Sequence, residues 1–109
     1  MKIHDIKDEE GRIFAFEVNN LFFTRKGLCR FIRSIPEVKI LKAPGFRSFF
    51  KGEDEFCEFE IQGHKFVAWE PWNDNSCYWI GPNPPNWCEQ VEIVRNAFAN
   101  HKLFSFLRK

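Results

Sequence analysis

Several signatures that announce an enzyme are missing from this sequence. Its four cysteines (Cys29, Cys57, Cys77, Cys88) contain no C-x-x-C pair, which argues against a zinc ribbon. There is no phosphate-binding P-loop and no G-x-G-x-x-G, H-E-x-x-H or G-x-S-x-G. The three histidines are scattered, with no Cys or Asp at nucleophile–base spacing, and each reads as a surface residue. No stretch approaches the ~18 apolar residues of a membrane span. The charged start MKIHDIKDEE is not the apolar core of a signal peptide. These absences point to the cytoplasm, where thiols stay reduced. The cysteines then read as small apolar core residues or free thiols, ahead of disulfides or metal ligands. Neither a metal nor a cofactor is implied, and there are no repeats or low-complexity segments.

What the chain does have is aromatic side chains and an uneven charge. Fourteen of its 109 residues are Phe and four are Trp. Large rings let a small single domain build a core from few positions. The net charge is +1, yet residues 25–51 hold eight basic side chains against the one acid Glu37. The remainder is acidic. Such a split suggests an electrostatic partner, or attraction between two parts of one fold.

The patterning predicts mixed elements. Lys2–Ile6 reads as an edge strand and Arg12–Val18 as a firmer one. Asn19-Asn20 suits a two-residue turn, with Val18 opposite Leu21 and Phe16 opposite Phe23. Thr24 is a candidate N-cap for a helix over Arg25–Ile35. Its apolar stripe is Leu28, Phe31, Ile32 and Ile35, and Pro36 ends it. Glu37–Leu41 is a strand. The strand–helix–strand run permits one right-handed crossover and a parallel pair. Phe46–Phe50 is either a short strand or a ring-anchored loop.

Residues 55–81, EFCEFEIQGHKFVAWEPWNDNSCYWIG, read as a three-stranded meander. A turn at Gln62-Gly63 sets Ile61 opposite His64, Glu60 opposite Lys65, Phe56 opposite Trp69 and Glu55 opposite Glu70. Cys77–Ile80 is the third strand. After a proline-rich connector, Asn86 and Glu89 form a capping-box pattern. The helix that follows buries Trp87, Val91, Val94 and Phe98. The expected fold is α+β: a mainly antiparallel sheet of five or six strands, with two amphipathic helices packed on one face, in the order βββαβ-βββ-α. The apolar tail at 103–107 must dock on the sheet, continue the helix or meet another chain, and with the aromatic-rich interior it leaves excess apolar surface that a homodimer would hide most simply.

Three constellations could carry a function. Glu55 facing Glu70 would set two carboxylates together, which raises one pKa as an acid/base pair requires. The plain alternative is a frayed strand end in water. The following loop adds Trp72, Asn73 and Asp74, with Tyr78 beyond it. With Glu55 and Glu70 these residues form a candidate polar-aromatic site for a small-molecule ligand. Trp69, Trp72 and Trp79 with Tyr78 could line it, or could all be packing residues. Lys26, Arg30 and Arg33 share the other face of the first helix and, with Arg47, could contact nucleic-acid phosphates. A solvated face explains the same pattern.

The runs FEVNNLFFTRKGLCRFIRSIPEVKI and EFCEFEIQGHKFVAWEPWNDNSCYWIGP resemble small uncharacterised bacterial proteins of the kind carried on mobile gene cassettes, the integron cassette type. That resemblance assigns no catalytic residue. The expectation from the residues is a non-enzymatic binding domain at the 70–76 loop. A nucleic-acid-binding protein is the alternative, followed by a small acid/base enzyme using Glu55 and Glu70.

Overall fold

The computed structural model describes residues 3–19, 23–43, 55–70 and 77–100, with the side chain of Glu55 excepted. Expectations for Asn20, Leu21, Arg47, the 46–50 run, Trp72, Asn73, Asp74 and the 103–107 tail lie outside these residues.

The elements are β1 (Ile3–Lys7), β2 (Ile13–Asn19), α1 (Arg25–Ser34), β3 (Val38–Lys42), β4 (Glu55–Ile61), β5 (His64–Trp69), β6 (Cys77–Pro82) and α2 (Glu89–Ala99). The six strands form one antiparallel sheet in the order β1-β2-β6-β5-β4-β3. The fold class is therefore α+β. Two expectations are corrected by this order. β2 is flanked by β1 and β6, so Val18 faces Ile3 and Tyr78. Both of its edges are occupied, and Phe23 packs on the core outside any strand. Among the described residues the parallel pair is also absent, because α1 carries the chain to the far edge of their sheet, where β3 pairs with β4.

The central hairpin forms as its turn dictates. Gln62 and Gly63 both have positive φ, 50° and 82°. That is the geometry of a two-residue turn matched to strand twist, and it sets Ile61 opposite His64 through Cys57 opposite Ala68. The register then shifts. Glu55 faces Trp69, and Phe56 is the extra residue of a β-bulge. The bulge turns Phe56 inward, where it is fully buried.

A row of ladder partners runs across the sheet from Cys57 through Ala68 and Ile80 to Phe16. Direct partners share a sheet face, and all four are fully buried. Cys29 of α1 touches Cys57, and Phe98 of α2 meets Phe16 edge-on at 5.4 Å. Phe98 also contacts Phe31 of α1 at 4.7 Å. The rings thus join both helices and the sheet in one buried cluster.

Helix ends follow local chemistry. Thr24 Oγ1 accepts from Gly27 N at 3.0 Å, capping α1. Ile35, before Pro36, is extended. α2 begins later than the capping-box pattern implies. Asn86 N donates to Pro84 O, and the first helical bond is Val91 N to Cys88 O. Trp87 therefore precedes the helix, half-buried, with the Arg12 guanidinium 4.9 Å from its ring centre. Among the described residues no helix is long and apolar enough to cross a membrane.

Candidate functional site

The strand end that carries Glu70 does not bring two carboxylates together by pairing. The bulge at Phe56 moves Glu55 opposite Trp69, so the expected Glu55–Glu70 ladder pair is replaced. Glu70 instead accepts from Arg25 Nε at 2.5 Å. Arg25 also lies over the Phe56 ring, 5.2 Å from its centre. Tyr78 is 4% exposed and packs edge-on against Phe56. Its hydroxyl donates to Phe23 O at 2.9 Å. Burial raises the Tyr78 phenol above its ordinary value, Glu70 adds to this, and Arg25 opposes it. Glu70 and Tyr78 thus link this strand end to the start of α1.

The tryptophans divide by strand alternation. Tyr78 faces the core, so its neighbour Trp79 lies on the opposite face, beside Trp69 with ring centres 6.1 Å apart. Tyr78 therefore does not join Trp69 and Trp79 in one aromatic wall. The Trp79 ring folds back over Gly81. A Cβ there would stand 2.8 Å from Trp79 and 2.9 Å from the Ala15 methyl. That close approach requires glycine, and it accounts for the W-I-G run in packing terms.

The basic segment is sorted by what faces it. Lys39 is the cross-strand partner of Glu60, which also faces Lys65, and Lys42 faces Glu58. Opposite charges in such positions stabilise a sheet by a fraction of a kcal/mol, about 0.2–1. Arg25 is held by Glu70. The acidic strand β4 thereby answers the cations of β3 within the chain. Lys26, Arg30 and Arg33 stand apart. They fall at i, i+4 and i+7, which places them on one stripe of α1. All three are exposed, and among the described residues they make no ion pair or side-chain hydrogen bond. Together with Cys29 and Ala43 they line a cleft of about 140 Å³.

Cys29 sits where the basic and apolar stripes of α1 meet, three residues after Lys26 and four before Arg33. Its sulfur lies 2.8 Å from that of Cys57. Either thiol can donate in this contact. The contact lowers the Cys29 pKa; burial opposes this and Arg33 supports it. The Cys57 thiol is driven far up by the same contact and by burial. Sequence reading took Cys57 and Cys29 as small apolar core residues or free thiols but did not connect the two. The available signal was the position of Cys29 at the edge of the apolar stripe.

A second cleft, about 460 Å³, lies between the Gly63–Lys65 turn and residues 82–88, with Trp87 as its largest wall. Among the described residues no group of three or more His, Cys, Asp or Glu could hold a metal ion. No protein-family model, curated protein or solved structure matches the chain.

Proposed function

We propose that this chain is a non-enzymatic binding domain that takes a nucleic-acid backbone against Lys26, Arg30 and Arg33. The observation that carries this reading is the contrast in counter-charge. Arg25, Lys39 and Lys42 each face an acid of the same chain, whereas the three cations of the α1 stripe face solvent around one cleft. Along a helix the stripe spans ~10 Å, a length suited to consecutive phosphates rather than to one small anion. A net charge near zero does not oppose this, because phosphate contact depends on the local patch. The competing small-molecule reading at the 70–76 loop is weaker. Glu70 is already held by Arg25, and the Tyr78 hydroxyl by Phe23.

The test is binding of single-stranded and duplex oligonucleotides as salt is varied. Three phosphate contacts give a slope of log K against log salt of about −2 for single strands and about −2.7 for duplex. Arg30→Ala with Arg33→Ala should flatten that slope by about 2 and weaken binding regardless of sequence. Retention that ignores both salt and these substitutions would exclude the reading. Binding of inorganic phosphate alone, with no oligonucleotide affinity, would leave only a small-anion site.

A further inference from the structure

The cleft and the two sulfurs beneath it carry a second property, independent of whether nucleic acid binds above them. We infer that Cys29 and Cys57 form a redox-reactive dithiol, with Cys29 the attacking sulfur and Cys57 the resolving one, which a hydroperoxide entering between Lys26, Arg30 and Arg33 converts to a disulfide joining α1 to β4.

Three features of the arrangement support this. The first is proximity. The sulfurs are 2.8 Å apart across elements distant in sequence, so a bond of ~2.05 Å needs only a small approach. The second is access from one side. Cys29 is 3% exposed yet lines the basic cleft, whereas Cys57 is fully buried behind it. The cleft's 140 Å³ holds several molecules of water size, each taking about 30 Å³ in the liquid. A molecule the size of hydrogen peroxide fits that volume. The third is polarity. Arg33 lies one turn on from Cys29 and lines the same cleft. A nearby cation stabilises thiolate, the reactive form. Access decides the order, because Cys29 lines the cleft and meets the peroxide first, with Cys57 fully buried behind it.

The chemistry balances. Cys29 thiolate attacks one peroxide oxygen; the S–O bond forms, the O–O bond breaks, and hydroxide leaves and takes up a proton as water. The product is a sulfenic acid on Cys29. The Cys57 sulfur then attacks the Cys29 sulfur; the S–S bond forms, the S–O bond breaks, and a second water leaves with the Cys57 proton. Two thiols give up two electrons, and one peroxide becomes two waters.

Cys77 and Cys88, both half-buried, act as internal comparisons. The full-length reduced protein is exposed to stoichiometric hydrogen peroxide, quenched by alkylation, digested and analysed by mass spectrometry. The expected result is a Cys29–Cys57 linked peptide formed about tenfold faster than either Cys77 or Cys88 is consumed. Cys57→Ser should instead accumulate a sulfenic acid on Cys29 that a dimedone probe traps. Cys29→Ser should leave Cys57 unreacted. Arg33→Gln, a substitution on the exposed face, should slow linkage several-fold with the fold intact. Consumption of Cys77 or Cys88 while Cys29 and Cys57 stay alkylatable would overturn the inference. So would linkage that appears only in denaturant.

Discussion

Arg25 and Arg95 belong to different helices, yet each ends on a carboxylate at the sheet. Arg25 reaches Glu70, and Arg95 makes a two-point contact with Asp5 of the edge strand β1, Nε to Oδ1 at 2.6 Å and Nη2 to Oδ2 at 2.9 Å. Lys26, Arg30 and Arg33 sit on the same helix as Arg25 and face no acid among the described residues. Helix position makes the difference. A cation on the flank that meets the sheet becomes part of the fold, and one on the outer stripe stays available to a partner. Counting basic residues over 25–51 merges the two groups, because charge alone does not say which way a side chain points.

The largest expected effect removes the support beneath both groups. Phe98 contacts Phe16, Phe23 and Phe31, so Phe98→Ala should cost about 3–5 kcal/mol. That is a large part of the stability of a domain this size, about 5–15 kcal/mol. Urea denaturation would show it as a lower midpoint. If the loss is small, the rings do not hold the helices to the sheet.

Next come the arginines at the sheet. Glu70→Gln should cost about 1–2 kcal/mol, since it leaves Arg25 without its charged acceptor at a partly exposed site. Asp5→Asn should behave similarly, because the Asp5–Arg95 side chains are 23% and 29% exposed, close to the 21% and 31% of Glu70 and Arg25. A chemical melt that does not distinguish either variant from the parent would place these arginines with the outer stripe.

Tyr78 gives a pH-dependent check on the same strand end. Its folded-state pKa lies above the ordinary 10.0, so the folded protein keeps the phenolic proton longer than the unfolded chain does. This contribution to stability is complete below pH 10 and is lost as pH rises from 10 through the raised value. Tyr78→Phe should remove that alkaline loss in thermal melts across the range. It also removes the hydroxyl bond to Phe23 O at neutral pH. An alkaline profile unchanged by the substitution would mean that another group sets it.

The smallest expected stability effect belongs to the outer stripe. Arg30→Ala and Arg33→Ala should change stability by no more than about 0.5 kcal/mol, while the same variants lose oligonucleotide binding. A stability loss of the size expected for Glu70→Gln would show that these arginines support the fold instead.

How far the chain could be read in advance differs from one element to the next. The hairpin register from Ile61–His64 to Cys57–Ala68 was legible, because a two-residue turn and strict alternation leave one pairing that buries one face. The Phe56 bulge was not. A phenylalanine is compatible with either face, and only the packing of Phe56 between Arg25 and Tyr78 selects the inner one. The bulge then set Glu55 opposite Trp69 and replaced the ladder pair on which the acid/base alternative rested. The start of α2 was misread because the Asn86 backbone N–H is used in a turn to Pro84, a choice a capping pattern does not record.

Sequence by itself determined the local features: the Thr24 cap, the end of α1 at Pro36, the Gln62-Gly63 turn, and the two stripes of α1. Each depends on side-chain chemistry within a few residues. Tertiary structure alone decided the strand order, the pairing of Arg25 with Glu70 and Arg95 with Asp5, and the meeting of Cys29 with Cys57. Those contacts join residues 28 to 90 positions apart. Many alternative pairings satisfy the same local pattern, and only the simultaneous burial of one aromatic core selects among them.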